Sequence, residues 1–402
     1  MRSETSLNNQ AILTHLRRRF GGATAVFTLL LILFYLGLRT IWPDYAERWL
    51  GQAALGLAFV LVVLWRGLPE NHREGEAALL STLGWGNSLT LLRGLAMSFV
   101  AGFFLLPWPS GGLAWAPMLL YTLADIADYL DGYLARKTNH ATLLGVRLDI
   151  EYDGLGVLIV SALGVWYGQL PWWYLILGVS RWLFIAGQKL RERQGKPVYA
   201  MPPSVHRRIV AGFQMGFMSA ALWPIIPAAG AKIAATVFGV ATAVSFLRDW
   251  LIVSGQLNPA APAYLRWRRQ AYLWLVKGLP VVWRVMAVIG MAVILSTLPQ
   301  LFPPDEWTRL LASWHLPQPQ MWAVLTSVVA LAATAAVGLG AIGRLAGLAL
   351  VFPIGFDMVI HGLLWRNGAA LTAVCFVMLF GGGLWSLWQP EERFMTQRAG
   401  EP

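Results

Sequence analysis

Cysteine and charge are scarce in this chain, and acidic charge is scarcer than basic. Cys375 is the single cysteine among 402 residues, so no disulfide framework forms within the chain and the stapled secreted domains are excluded. Charged residues make up 13%, against about 25% in soluble domains. That deficit excludes a soluble enzyme, a disordered chain and a coiled coil. What fills the space is apolar: 57% of the residues are hydrophobic, 21 Trp among them, with 40 Gly besides. The composition is that of a polytopic helical membrane protein with basic loops. The 31 Lys and Arg against 20 Asp and Glu give a formal net charge of +11. In such a chain this excess reads as positive-inside loops, not as a nucleic-acid surface, and no nucleic-acid partner is expected.

A membrane-spanning helix needs about 20 mainly apolar residues. About twelve stretches qualify, near 23–42, 51–66, 83–106, 112–136, 145–168, 171–190, 208–227, 231–254, 279–298, 321–339, 342–363 and 368–388. The expected fold class is all-α, a polytopic membrane helix bundle. Short loops set the orientation. Arg17, Arg18 and Arg19 precede the first span, Arg66 and Arg73 follow the second, and Lys189, Arg191, Arg193, Lys196, Arg207 and Arg208 lie near a later loop. Arg266, Arg268, Arg269 and Lys277 follow in another. With twelve crossings all of these share one face with both termini. The opposite loops are short or acidic, as at Asp44, Glu47, Asp305 and Glu306. This predicts a multi-pass protein of the cytoplasmic (plasma) membrane with the basic face and both termini in the cytoplasm. No small-residue cleavage site follows the first apolar stretch, which is therefore read as a retained helix.

Two polar segments divide the chain. Residues 1–76 form a two-helix membrane segment, 77–255 a six-helix core, 256–278 a basic aromatic linker, and 279–402 a four-helix membrane domain with a cytoplasmic tail. In the linker Tyr264, Trp267, Tyr272 and Trp274 interleave with Arg and Lys. Such a pattern suits either an amphipathic helix on the cytoplasmic leaflet or an anchored loop.

One stretch, DIADYLDGYLARKTNHATLLGVRLDIEYDG at 125–154, breaks the apolar pattern. Asp128 and Asp131 are three apart and share a helix face; Asp149 and Asp153 are four apart and share a face of the next helix. A turn around Lys137–Thr142 makes the two helices antiparallel neighbours, so that four carboxylates converge. Each aspartate at mid-membrane costs about 2.5–3.5 kcal/mol on insertion scales, and four together repel one another. Arg136 and Arg147 offer only partial compensation. A bound divalent cation satisfies all four, and oxygen-only ligands favour Mg²⁺ or Mn²⁺ over zinc. Gly132, Ala135 and Gly145 allow close backbone approach, either to another helix or to a ligand. Arg248 and Asp249, adjacent near the end of a later span, are expected to have separate partners.

The spacing Asp128-x2-Asp131-Gly132-x2-Ala135-Arg136-x8-Gly145-x3-Asp149-x3-Asp153 resembles the signature of the CDP-alcohol phosphatidyltransferase family at every fixed position. The resemblance covers about residues 83–254, the six-helix core; two N-terminal and about four C-terminal transmembrane helices are additional. Asn87, Thr90 and Arg93 resemble the family's first-helix motif and are supporting residues. Arg181 stands where family members with phosphorylated acceptors often carry an Arg-Glu pair, here followed by Trp182. Arg208 to Gln214 resembles the start of the family's fifth helix, with Ala211 and Gly212 departing from it.

The resemblance implies transfer of a phosphatidyl-type group from a CDP-linked lipid to a polar alcohol, with release of CMP. It implies that Asp128, Asp131, Asp149 and Asp153 hold Mg²⁺ or Mn²⁺, two ions in all, with Asp153 also the general base. It implies CDP binding by Gly132, Ala135, Arg136 and Gly145, and acceptor binding by Arg181, Arg207 and Arg208. A homodimer, with membrane lipids around it, is implied too. The basic fourth and fifth core helices favour a phosphorylated acceptor, glycerol 3-phosphate first and an inositol phosphate second. The same signature serves a CDP-amino-alcohol donor with a diacylglycerol acceptor. The competing class is a transporter, but the acids cluster at one face and no matched pair of broken helices appears. The last four helices faintly resemble DoxX-type membrane proteins; there Asp357 and His361, four apart, can pair or relay a proton.

Overall fold

The computed structural model describes residues 2–202 and 204–392. Among these the regular structure is helical: α1 (Arg2–Ile41), α2 (Pro43–Gly67), α3 (Gly84–Ala101), α4 (Ala116–Lys137), α5 (Leu143–Trp166), α6 (Tyr174–Arg193) and α7 (Val205–Ala221) come first. They are followed by α8 (Ala228–Val253), α9 (Pro262–Tyr272), α10 (Leu279–Ser296), α11 (Asp305–Ser313), α12 (Pro319–Leu339), α13 (Gly343–His361) and α14 (Trp365–Phe380). Each of the twelve apolar stretches falls on a helix. Among the described residues, six helical runs are long and apolar enough to cross a membrane alone: Asn8–Ile41, Pro43–Glu70, Ala228–Val253, Pro262–Ser296, Pro319–Leu339 and Gly343–His361. The chain is a multi-pass membrane protein. The stretches at α3 to α7 and at α14 are helices that miss this standard, because they are short or carry charge. Asp125, Asp128 and Asp131 interrupt α4, and Arg147, Asp149, Glu151 and Asp153 interrupt the first turns of α5.

Two compact units share the chain. The first comprises residues up to Trp182 with Met218–Pro224; the second comprises Leu183–Phe217 and Ile225 onward. In the first, α3 is the central element and packs against α2, α4 and α5. Close approach is possible because small residues line the crossings. A Cβ on Gly86 would lie 2.8 Å from the Ala135 Cβ and 2.9 Å from the Asp131 carbonyl oxygen, and one on Gly94 would lie 2.9 Å from the Tyr152 ring. Tyr152 is fully buried, and its hydroxyl donates to the Val60 carbonyl at 2.9 Å, tying α5 to α2.

The hairpin between α4 and α5 is built from its own sequence. Arg136 and Lys137 sit in the last turn of α4, where cations suit the helix dipole. Asn139 takes a left-handed φ of 52°, which Asn tolerates better than most residues. Thr142 then caps α5, its hydroxyl accepting from the Gly145 N–H at 3.1 Å. The turn is fastened to the segment before α3 by a hydrogen bond between His140 Nε2 and the Thr82 carbonyl at 2.9 Å.

In the second unit α14 packs against α8, α10 and α13. Residues 262–278 are helical, not a loop: α9 passes through π-helical turns at Leu273–Gly278 straight into α10. The sequence reading missed α11, taking Asp305 and Glu306 for loop acids. They form its first turn, and Trp307 and Leu311, four apart, are its buried stripe. Arg284, buried in α10, donates to the carbonyls of Val337 at 2.8 Å and Gly338 at 2.5 Å, closing the C-terminal end of α12.

Candidate active site

The site forms where α3 meets the α4–α5 hairpin. Asn87, Thr90 and Arg93 recur every three residues and so share one face of α3. All three are almost fully buried. Asn87 donates through Nδ2 to the Thr142 hydroxyl at 3.1 Å, joining α3 to the cap of α5. Thr90 donates to Asp131 Oδ2 at 2.7 Å. Arg93, 1% exposed, reaches all four signature aspartates. Its Nη1 contacts Asp128 Oδ1 and lies 3.8 Å from Asp131 Oδ2. Its Nη2 lies 3.1 Å from both Asp149 Oδ1 and Asp153 Oδ1, and also donates to the Asp149 carbonyl at 3.1 Å.

The expected partial counter-ions do not serve the cluster. Arg147 instead pairs with Glu70, and Arg136 is exposed, with Nη1 3.2 Å from where a Gly132 Cβ would stand. Compensation comes from α3, through one guanidinium facing four carboxylates. With all four ionised, three negative charges remain in excess, in a place where unpaired charge is expensive.

Asp128, Asp131 and Asp149 each offer one oxygen, the three lying within 4.8 Å of one another. An all-oxygen donor set of this span, in a field still negative after Arg93 is counted, fits a divalent cation. Asp153 lies one turn beyond Asp149. One turn deeper than Asp128, Asp125 has a buried Oδ1 with no hydrogen-bond partner among the described residues.

The small residues of the signature differ in what they face. A Cβ on Gly145 would fall 2.5 Å from Asn87 Oδ1, and Ala135 stands against Gly86. These two let α3 close onto the hairpin. Gly132 meets only the flexible end of Arg136.

Arg181 in α6 crosses Gly154, whose Cβ would come within 2.7 Å of the arginine Cδ. That brings its charge to bear on Asp153. The Arg181 Nε is buried with no hydrogen-bond partner among the described residues. Arg207 belongs to the second unit and pairs with Asp249 Oδ2 at 3.3 Å. Arg208 is exposed in the same unit. Gln214 is buried there, its Oε1 accepting from the Thr242 hydroxyl at 3.1 Å. Arg248 and Asp249 are not separate after all. Arg248 Nη1 folds back to Asp249 Oδ1 at 3.2 Å while its Nε donates to the Tyr264 hydroxyl at 2.8 Å, a span only a long forked side chain covers.

In α13, Asp357 and His361 do pair, Oδ1 to Nδ1 at 3.1 Å. Buried Asp357 is also held by Arg366 Nη2 at 2.9 Å and Asn367 Nδ2 at 2.8 Å. These bonds make it a fixed junction of α13 and α14.

Residues 85–251 match the family model described as CDP-alcohol phosphatidyltransferase. This segment is similar to that family. The matched residues include the whole α3 face and all four aspartates. Among curated relatives, a CDP-diacylglycerol–glycerol-3-phosphate 3-phosphatidyltransferase of Salmonella choleraesuis is 39% identical over 88 residues, 21% of this chain and 45% of the relative. The protein of that name from Cereibacter sphaeroides is 38% identical over 117 residues, 27% of this chain and 49% of the relative. A putative cardiolipin synthase of Mycobacterium bovis is 23% identical over 216 residues, 54% of this chain and 86% of the relative. The chain thus spans about half the length of the first two. No solved structure matches it.

Proposed function

We propose that this chain is a divalent-metal-dependent transferase. It moves a phosphatidyl-type group from a CDP-linked lipid, such as CDP-diacylglycerol, to the hydroxyl of a phosphorylated alcohol, and releases CMP. The observation that carries this reading is the gathering of four aspartates around one buried arginine, within a segment that matches the family.

In the proposed reaction the acceptor hydroxyl oxygen attacks the phosphorus that carries the diacylglycerol. The bond from that phosphorus to the bridging oxygen of CMP breaks, and the hydroxyl proton passes to a carboxylate oxygen of Asp153. Asp128, Asp131 and Asp149 hold Mg²⁺ or Mn²⁺, with Asp153 able to share a second ion. A divalent ion held there would supply positive charge to neutralise the diphosphate and the charge developing on the departing CMP. Gly132 offers the barest backbone to the nucleotide. Arg136, exposed beside it, is suited to a phosphate by its planar fork. Ala135 and Gly145 act on the same face by letting α3 close the site. Arg181, with its unpartnered Nε and its charge acting on Asp153, is the acceptor-phosphate contact. Glycerol 3-phosphate is the first candidate, being the acceptor named for two of the relatives; an inositol phosphate is the second. The test is CMP release from CDP-diacylglycerol by purified protein offered glycerol 3-phosphate, an inositol phosphate, free glycerol and diacylglycerol. Release that depends on the phosphorylated alcohols is the expected result. A parallel arm offers a CDP-amino-alcohol with diacylglycerol, and release in that arm alone would assign the other donor class.

The basic loops support a cytoplasmic location for the α4–α5 turn and both termini. A cysteine replacing Asn139 is therefore expected to resist a membrane-impermeant maleimide applied to intact cells and to react once the cells are opened. The buried native Cys375 can be replaced by Ser as background. Labelling in intact cells would reverse the orientation.

A further inference from the structure

Arg93 is bound to the same carboxylates that a metal needs. Its Nη1 holds Asp128 and its Nη2 holds Asp149. These are two of the three residues whose oxygens lie close enough together to share an ion. A cation taking one oxygen from each of Asp128, Asp131 and Asp149 draws on groups already committed to the guanidinium. The two positive charges would also repel at this range. That repulsion at a few ångströms is unfavourable even at an effective dielectric of about 20.

The rest of α3 does not depend on this contact. Thr90 binds Asp131 and Asn87 binds the α5 cap independently. Arg93 Nε has no hydrogen-bond partner among the described residues. The guanidinium is therefore held only through its two terminal nitrogens, by ion pairs to the four aspartates and a hydrogen bond from Nη2 to the Asp149 carbonyl, with no bond from Nε to fix its place. Buried at 1% exposure, it also has no route to water as a counter-ion partner. A lone cation there is costly unless carboxylates face it, just as four carboxylates are costly without it.

We propose that Arg93 is a resident counter-ion: it holds the aspartates together before metal arrives, and metal entry displaces it from Asp128 and Asp149. The inference rests on the metal-dependent reading above. Arg93 is in this sense a positioning residue, and it sets the metal affinity of the site through competition.

The test uses the full chain in detergent micelles, stripped by chelation and titrated with Mn²⁺. Free Mn²⁺ is read by electron paramagnetic resonance and the melting temperature by tryptophan fluorescence. The Arg93→Gln variant is expected to melt below wild type without metal and to bind Mn²⁺ about tenfold tighter or more, in line with removal of a neighbouring cation. Its melting temperature should accordingly rise more on adding Mn²⁺ than that of wild type. Arg93→Lys keeps the charge and should bind Mn²⁺ close to wild type. Equal or weaker Mn²⁺ binding by Arg93→Gln, or its failure to fold even in Mn²⁺, overturns the counter-ion role alone. A wild-type protein that takes up no Mn²⁺ defeats the metal site itself, and this inference with it.

Discussion

Asp153→Asn is expected to lower CMP release by about 10²–10⁴-fold, the usual cost of losing a general base, while CDP-lipid binding survives. The amide has the size of the carboxylate and still offers one oxygen to Arg93 Nη2, so the packing of α5 stays intact. It cannot take up the proton that the acceptor hydroxyl must lose. Asp128→Asn and Asp131→Asn should behave differently. Each removes a charge from the trio whose oxygens converge within 4.8 Å, so metal and nucleotide binding weaken and high metal restores part of the rate. Asp131 has a further partner in Thr90, and its amide variant can turn an N–H toward that hydroxyl, which would lower stability as well. Calorimetry with CDP-lipid and CMP release separate the two classes. If Asp153→Asn loses nucleotide binding as fully as Asp128→Asn, then Asp153 is chiefly a metal ligand and the base lies elsewhere.

Exhaustive chelation is expected to reduce CMP release by about 10³-fold or more, since a metal clamp supplies several kcal/mol to such a transition state and each 1.36 kcal/mol is tenfold in rate. Mg²⁺ or Mn²⁺ should restore it. The physical basis is charge: with all four carboxylates ionised, the one guanidinium facing them leaves three negative charges in excess. A CDP-lipid adds more through its diphosphate. Without divalent cations that anion would enter a field that repels it, and the loss should appear in both binding and turnover. A chelated enzyme that keeps its full rate would mean that Arg93, Arg136 and Arg181 alone neutralise the diphosphate.

The hairpin was the most legible part of the sequence, because acids at spacings of three and four stand out in an apolar chain and Asn139 and Thr142 mark the turn and the cap. What holds the acids together was less legible. Arg93 lies 35 residues before Asp128 in sequence, and nothing local says which carboxylates a buried arginine will meet. Its signal was its cost: a cation within an apolar helix, on one face with Asn87 and Thr90, needs an anionic partner. Arg136 and Arg147 lie closer at hand, on the hairpin itself, yet Arg147 pairs with Glu70 and Arg136 is exposed beside Gly132. Gly145 shows the same limit. A glycine on a helix face says that something comes close, and only the position of Asn87 says what. Helix α11 went unread because nine residues carry too little hydrophobic pattern to outweigh an acidic, proline-flanked start.

The central claim is that the aspartate cluster transfers a phosphatidyl-type group to a phosphorylated alcohol. The most direct measurement is CMP release by the purified chain from CDP-diacylglycerol with Mg²⁺ or Mn²⁺, with and without glycerol 3-phosphate, alongside mass spectrometry of the lipid product. The expected result is CMP in step with a new phosphodiester lipid that contains the acceptor, and neither product without acceptor. No CMP release with any of the polar alcohols, from folded protein that binds both Mn²⁺ and CDP-diacylglycerol, would contradict it.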